Sequence, residues 1–148
     1  MDDPRAAMQN ALKQAMLKKD NTTRDVIRLL QSLLKQVEVD ERRELTGDDV
    51  VLIIQKEVKR RQESIDEARR ASRDDLVAEN EVVVHIAEQF LPRQLSREEI
   101  SAIVAQTIAQ TGVTSAKDMG KLMGALMPKV KGLADGKLVN EVVREQLK

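Results

Sequence analysis

Met119-Gly120-Lys121-Leu122-Met123-Gly124-Ala125-Leu126-Met127-Pro128-Lys129-Val130-Lys131-Gly132 is followed, after Leu133, by Ala134-Asp135-Gly136-Lys137-Leu138-Val139-Asn140. At 100° per residue, Met119, Leu122, Met123, Leu126 and Met127 fall on one side of a helix. Gly120 and Gly124 lie together at the edge of that side, and Lys117 and Lys121 lie opposite it. Two glycines within one helix cost roughly 1 kcal/mol each against Ala. A return is expected from close approach of another backbone, protein or nucleic acid, and Gly120 and Gly124 are therefore read as helix-packing positions. Pro128 is expected to kink or end the helix, with Gly132 as its cap. Asp135 then caps a last helix that buries Leu138, Val139, Val142, Val143 and Leu147.

Working back along the chain, the same 3.6-residue period recurs. Ser96 and Glu99 form a capping box for a helix striped by Ile100, Ile103, Val104 and Ile108, with Gly112 as its stop. Ser115 with Asp118 predicts the start of the Met-rich helix. Before Ser96, Leu91-Pro92-Arg93-Gln94-Leu95 reads as a connector, because Pro92 disfavours helix at Leu91. Thr46 and Asp49 frame another capping box, opening a long helix to about Arg70. Ser72 with Asp75 predicts the next start, for a helix to about Phe90 carrying Leu76, Val83 and Ile86. At the N-terminus, Asp3 and Pro4 predict a helix striped by Ala7, Met8, Ala11, Leu12, Ala15 and Met16. A second helix to about Val39 buries Val26, Ile27, Leu30, Leu33, Leu34 and Val37. The expected fold is all-α: a four-helix N-terminal bundle over 1–92 and a three-helix C-terminal bundle over 93–148.

The chain of 148 residues holds 25 Lys+Arg against 25 Asp+Glu, one Phe, no Trp or Tyr, and no Cys. Zero net charge argues against bulk DNA as a partner and leaves room for a local basic face. Without Cys there is no disulfide, thiolate nucleophile or Cys-type zinc site. Met1-Asp2-Asp3-Pro4 does not read as a secretory signal, and no apolar run of about 18 residues occurs. These features predict a cytoplasmic protein with no membrane span.

Catalytic chemistry finds no support in the pattern. His85, the single His, sits at the margin of an apolar stripe with no nucleophile motif near it. Nucleotide-binding glycine loops and the nucleophile elbow are missing. No catalytic residue, metal ligand or small-molecule cofactor is assigned. Glu57 with Arg61 and Asp66 with Arg70 are i,i+4 pairs of a solvated face. Lys56, Lys59, Arg60 and Arg61 could form a phosphate-contacting strip, a reading weakened by the interleaved Glu57 and Glu63. The basic set Lys117, Lys121, Lys129, Lys131 and Lys137 packs five cations into 21 residues. After residue 94 there are eight Lys/Arg and six Asp/Glu. The N-terminus of the last helix adds backbone N–H groups, a ready anion site. With no aromatic to stack on a base, RNA contact would run through backbone and shape.

The stretch from Lys117 to Arg144 resembles the signature of the YqeY family. Its matching residues are Met119-Gly120, Met123-Gly124, Lys131-Gly132, Ala134 and Lys137-Leu138-Val139-Asn140. Further matches are Lys59, Arg61, Ser64, Asp75-Leu76, Glu79, Leu91-Pro92 and Gln94-Leu95-Ser96. The C-terminal module is also similar to the tail domain of the B subunit of the tRNA-dependent glutamyl/aspartyl amidotransferase. That resemblance implies an all-helical protein of two bundles whose tail helps to hold tRNA. Carried over position by position, it implies an RNA-facing surface of Lys131, Gly132, Lys137 and Asn140, to which the basic set adds Lys129. The chain departs from the pattern at Leu133, where a basic residue is typical, and at Phe90, where Tyr is common.

Three readings follow. In the first, the chain is a non-catalytic helical adaptor that recognises tRNA or a tRNA-modifying complex. The second makes it a component of a carbon–nitrogen ligase that uses glutamine as amido-N donor on misacylated tRNA. The third makes it a protein–protein interaction module that uses the Met119/Met123/Met127 face.

Overall fold

A computed structural model describes residues 2–147, and all of its regular structure there is helical. The α-helices are α1 (Pro4–Leu17), α2 (Asn21–Glu41), α3 (Gly47–Arg70), α4 (Asp74–Glu88), α5 (Arg97–Thr111), α6 (Met119–Val130) and α7 (Gly136–Gln146). The chain divides into two compact units, Met1–Pro92 and Arg93–Lys148.

In the first unit α3 packs along α4, α1 along α2, and α2 also reaches α4. Their apolar stripes meet in one core that includes Met8, Ile27, Leu30, Val50, Ile54, Ile86 and Phe90. The α1 stripe is narrower than its sequence suggests. Met8 and Ala15 are buried, whereas Ala7 and Met16 are exposed. Six apolar positions in four turns exceed what one neighbouring hairpin can cover. In the second unit α5 packs against both α6 and α7. Ile100, Val104, Leu122, Leu126, Val130, Val139 and Val143 form a separate core.

Both capping boxes form. Thr46 Oγ1 accepts from the Asp49 N–H while Asp49 accepts from the Thr46 N–H, and Ser96 and Glu99 do the same. Asp3 and Asp135 also cap as read. Two starts differ. Ser72 adopts a left-handed φ of 54° and caps nothing, so α4 begins after Arg73 with no side-chain cap. A short 3-10 turn, Ala116–Asp118, precedes α6, and neither Ser115 nor Asp118 makes a side-chain cap bond. Pro128 does not end the helix, which runs on to Val130. Proline removes the N–H that would bond the carbonyl four residues back. Here that carbonyl belongs to exposed Gly124, near the end of the helix, where the loss is small.

The boxes carry a pH signature. Arg43 beside Asp49, with the Thr46 N–H, holds that carboxyl at about 2. Arg93 and the Ser96 N–H hold Glu99 at about 2 in the same way. Both folded values lie below the ordinary carboxylate value of about 4. Their stabilisation is therefore complete above about pH 4 and is lost as pH falls towards 2. Urea midpoints followed by circular dichroism should decline through that window. Glu99→Gln should flatten the decline of the second unit alone.

Candidate nucleic-acid interface

The second unit carries the residues read as RNA-facing. Lys129 sits in the last turn of α6, Lys131 is its C-terminal cap, and Lys137 lies in the first turn of α7. Lys131, Lys137 and Asn140 are exposed. The α6–α7 junction between Lys131 and Lys137 is held by backbone bonds. Leu133 and Ala134 N–H groups donate to the Val130 carbonyl at 2.9 and 3.1 Å. Gly132 takes φ 76°, a conformation in which a Cβ is strained. It is buried, and its carbonyl accepts from Gln94 Nε2 at 3.0 Å. Gly132 thus shapes the junction and presents no surface of its own.

Lys129 is braced against α5. Its Nζ donates to Thr107 Oγ1 at 3.1 Å and to Gln110 Oε1 at 2.9 Å. Both partners are neutral, so the charge is retained while the side chain is tied down. The N-terminus of α7 is also occupied, since the Asp135 carboxylate accepts from the Lys137 N–H at 3.3 Å. The anion site read there from sequence is filled by the chain's own carboxylate.

Elsewhere in the unit two arginines are paired, and exposed Arg144 joins no ion pair among the described residues. Arg93 pairs with Glu99 at 2.7 Å, and Arg97 pairs with Glu145 and, at 3.5 Å, with Glu141. Among the described residues, Lys117, Lys121, Lys131 and Lys137 join no ion pair. Lys117 and Lys121 belong on the candidate surface although the family pattern did not nominate them. Their place opposite the apolar stripe was the signal.

Gly120 and Gly124 overturn one expectation. Both are exposed, and a Cβ built on either meets nothing within 4 Å. No helix of this unit approaches them, so they do not set packing within it. They form an open strip of α6 backbone beside Lys117 and Lys121. The Met face behaves differently. Met119 and Met123 pack partly against the core, and Met127 is 38% exposed. That leaves the interaction-module reading little surface.

In the first unit, Glu57 is buried and accepts from Arg60 at 2.6 Å and Arg61 at 2.9 Å. Burial pushes its carboxyl up, and the two guanidinium groups outweigh that and leave it below its ordinary value. Arg61 continues to Asn80 Oδ1 at 3.0 Å, fastening α3 to α4. The Arg60–Arg61 part of the basic strip is therefore engaged internally. His85 is exposed on α4.

Residues 5–147 match the family described as Yqey-like protein. The chain belongs to the YqeY family. Among its relatives, a Kluyveromyces lactis protein is 37% identical over 108 residues, 70% of this chain and 57% of the relative. A Pyrenophora tritici-repentis protein is 28% identical over 93% of this chain and 77% of the relative. An Eremothecium gossypii protein is 35% identical over 60% of this chain and 49% of the relative. This YqeY chain thus spans about half the length of two of these relatives and about three quarters of the third. All three are named altered inheritance of mitochondria protein 41, mitochondrial. That name overturns the cytoplasmic expectation. Lack of Cys reflects what chemistry a chain can do and says little about its compartment.

Proposed function

We propose that this YqeY chain is a non-catalytic helical adaptor whose second unit binds tRNA or a tRNA-modifying complex. The observation that carries the reading is the division of cations. Arg93 and Arg97, which could hold phosphates bidentately, are spent on glutamates, while four exposed lysines and Arg144 have no acid partner among the described residues. Lysines act as point charges on a phosphate backbone and read no sequence. The bare Gly120–Gly124 strip beside Lys117 and Lys121 lets a sugar-phosphate backbone come closer than any side chain would. The unit has no aromatic residue, so affinity rests on charge and shape.

The test is tRNA binding by fluorescence anisotropy across a salt series. Affinity should fall steeply with salt. In Lys131→Ala/Lys137→Ala the slope of log K against log salt should shrink by about 1.5, and affinity at moderate salt should drop about tenfold. A flat salt response, or parental affinity in that variant, overturns the proposal. The same preparation given glutamine and misacylated tRNA is the catalytic control, and turnover there overturns the adaptor reading.

A further inference from the structure

The first unit carries two complementary surfaces that RNA binding does not use. Between α2 and α3 lies an open groove of about 780 Å³. Its floor is apolar, with half-buried Leu33 and Val37 from α2 and half-buried Leu52 and Ile53 from α3. The α2 wall ends in Asp40 and Glu41, and α2 has no basic residue in its last turn. The C-terminal end of a helix is itself partially negative, so acids there set like against like. Arg43 answers Glu41 at 3.3 Å but is closer to Asp49, at 2.7 Å. On the opposite wall, α3 contributes Asp49, Lys56, Glu57, Lys59, Arg60 and Glu63, acids and bases in equal number. The groove is thus apolar beneath, acidic at the α2 end and mixed in charge along α3.

α1 has the matching character. No Asp or Glu occurs between Pro4 and Lys19. Met16 is 53% exposed and Leu17 is 69% exposed, the highest among the exposed large apolar side chains. They adjoin half-buried Leu12 and exposed Lys13, and Lys18 and Lys19 follow. Among the described residues, Lys13, Lys18 and Lys19 join no ion pair. Two adjacent large apolar side chains held in water beside unpaired cations make a ridge suited to an apolar groove with an acidic wall.

We propose that the α2–α3 groove receives the α1 ridge of a second copy of this chain. Met16 and Leu17 cover the apolar floor. Lys13, Lys18 and Lys19 lie along the α2 wall, facing Asp40 and Glu41 and the negative end of the helix. Ridge and groove are different surfaces, so the contact is heterologous and every copy owns one of each. An interface this small is weak and salt-sensitive.

Sedimentation velocity on the full chain, from micromolar to submillimolar concentration, reads this directly. Self-association is expected with a dissociation constant on the order of 10–100 µM, weakening severalfold at high salt. Leu17→Glu removes the ridge, and Asp40→Lys/Glu41→Lys reverses the wall. All three positions are exposed, so neither variant should lower the urea midpoint, and Asp40→Lys/Glu41→Lys should match or exceed the parent. Each alone should be monomeric. Their equimolar mixture should associate again, because one partner keeps an intact groove and the other an intact ridge. A parent that stays monomeric throughout, a variant that associates like the parent, or a mixture that remains monomeric each overturns the proposal.

Discussion

Leu126→Ala is expected to cost about 3 kcal/mol and to let the second unit unfold at much lower urea than the first. Leu126 has no exposed surface and sits in the same core as Ile100, Val104, Val139 and Val143. Its removal loses the transfer free energy of the missing carbons and opens a cavity that rigid helices cannot fully close. A unit of roughly 60 residues buries a modest share of its surface and carries only about 3–8 kcal/mol of stability. The substitution thus removes a large share of what is available. The first unit has its own core, which shares no buried residue with the second. Urea unfolding of the variant, followed by residue-resolved NMR, should show methyl signals of the second unit lost at low urea while those of the first persist. One transition moved as a whole would show that the units unfold together.

Gly120→Ala/Gly124→Ala is expected to act with opposite signs on stability and on binding. Neither position has positive φ, and neither added methyl meets an atom within 4 Å. Alanine therefore brings its helical advantage with no clash, about 1.5 kcal/mol for the pair. On the proposed surface, the same two methyl groups hold an incoming backbone away. The urea midpoint should rise while tRNA affinity falls by about tenfold, the loss expected when close approach and its phosphate contacts are spoiled. A variant that is stabilised and binds undiminished would remove the glycine strip from the interface.

Much of the fold could be read before any coordinates. Thr46 with Asp49 and Ser96 with Glu99 were legible because each box is complete within four consecutive residues. The helical period carried the all-α architecture for the same reason: it is a local property. What escaped depends on distance or on conformations without a residue signature. α1 is followed by Lys19, α2 by Arg42 and α3 by Ser72, each in the left-handed region and none a glycine. L-residues enter that region at a cost of about 1–2 kcal/mol, so the residue types gave no sign of that conformation, even where the helix end itself, as at Arg70, was legible. The site shows the same limit. That Lys131 and Lys137 are exposed follows from their places on amphipathic segments. The bracing of Lys129 depends on Thr107 and Gln110, 22 and 19 residues away. Gly120 and Gly124 were rightly seen as costly, but only packing could show that no neighbour in the unit takes up the space.

The bonds from Gln94 to the Gly132 carbonyl and from the Leu95 N–H to the Leu133 carbonyl, at 3.0 and 2.7 Å, reach across most of the second unit's sequence. They staple the incoming strand of the connector to the very bend between Lys131 and Lys137. Tension on that strand is therefore transmitted to the lysine-bearing bend before it reaches any helix. An excised C-terminal fragment that starts beyond Leu95 discards the staple and frees the bend, whereas one that starts at Arg93 retains it.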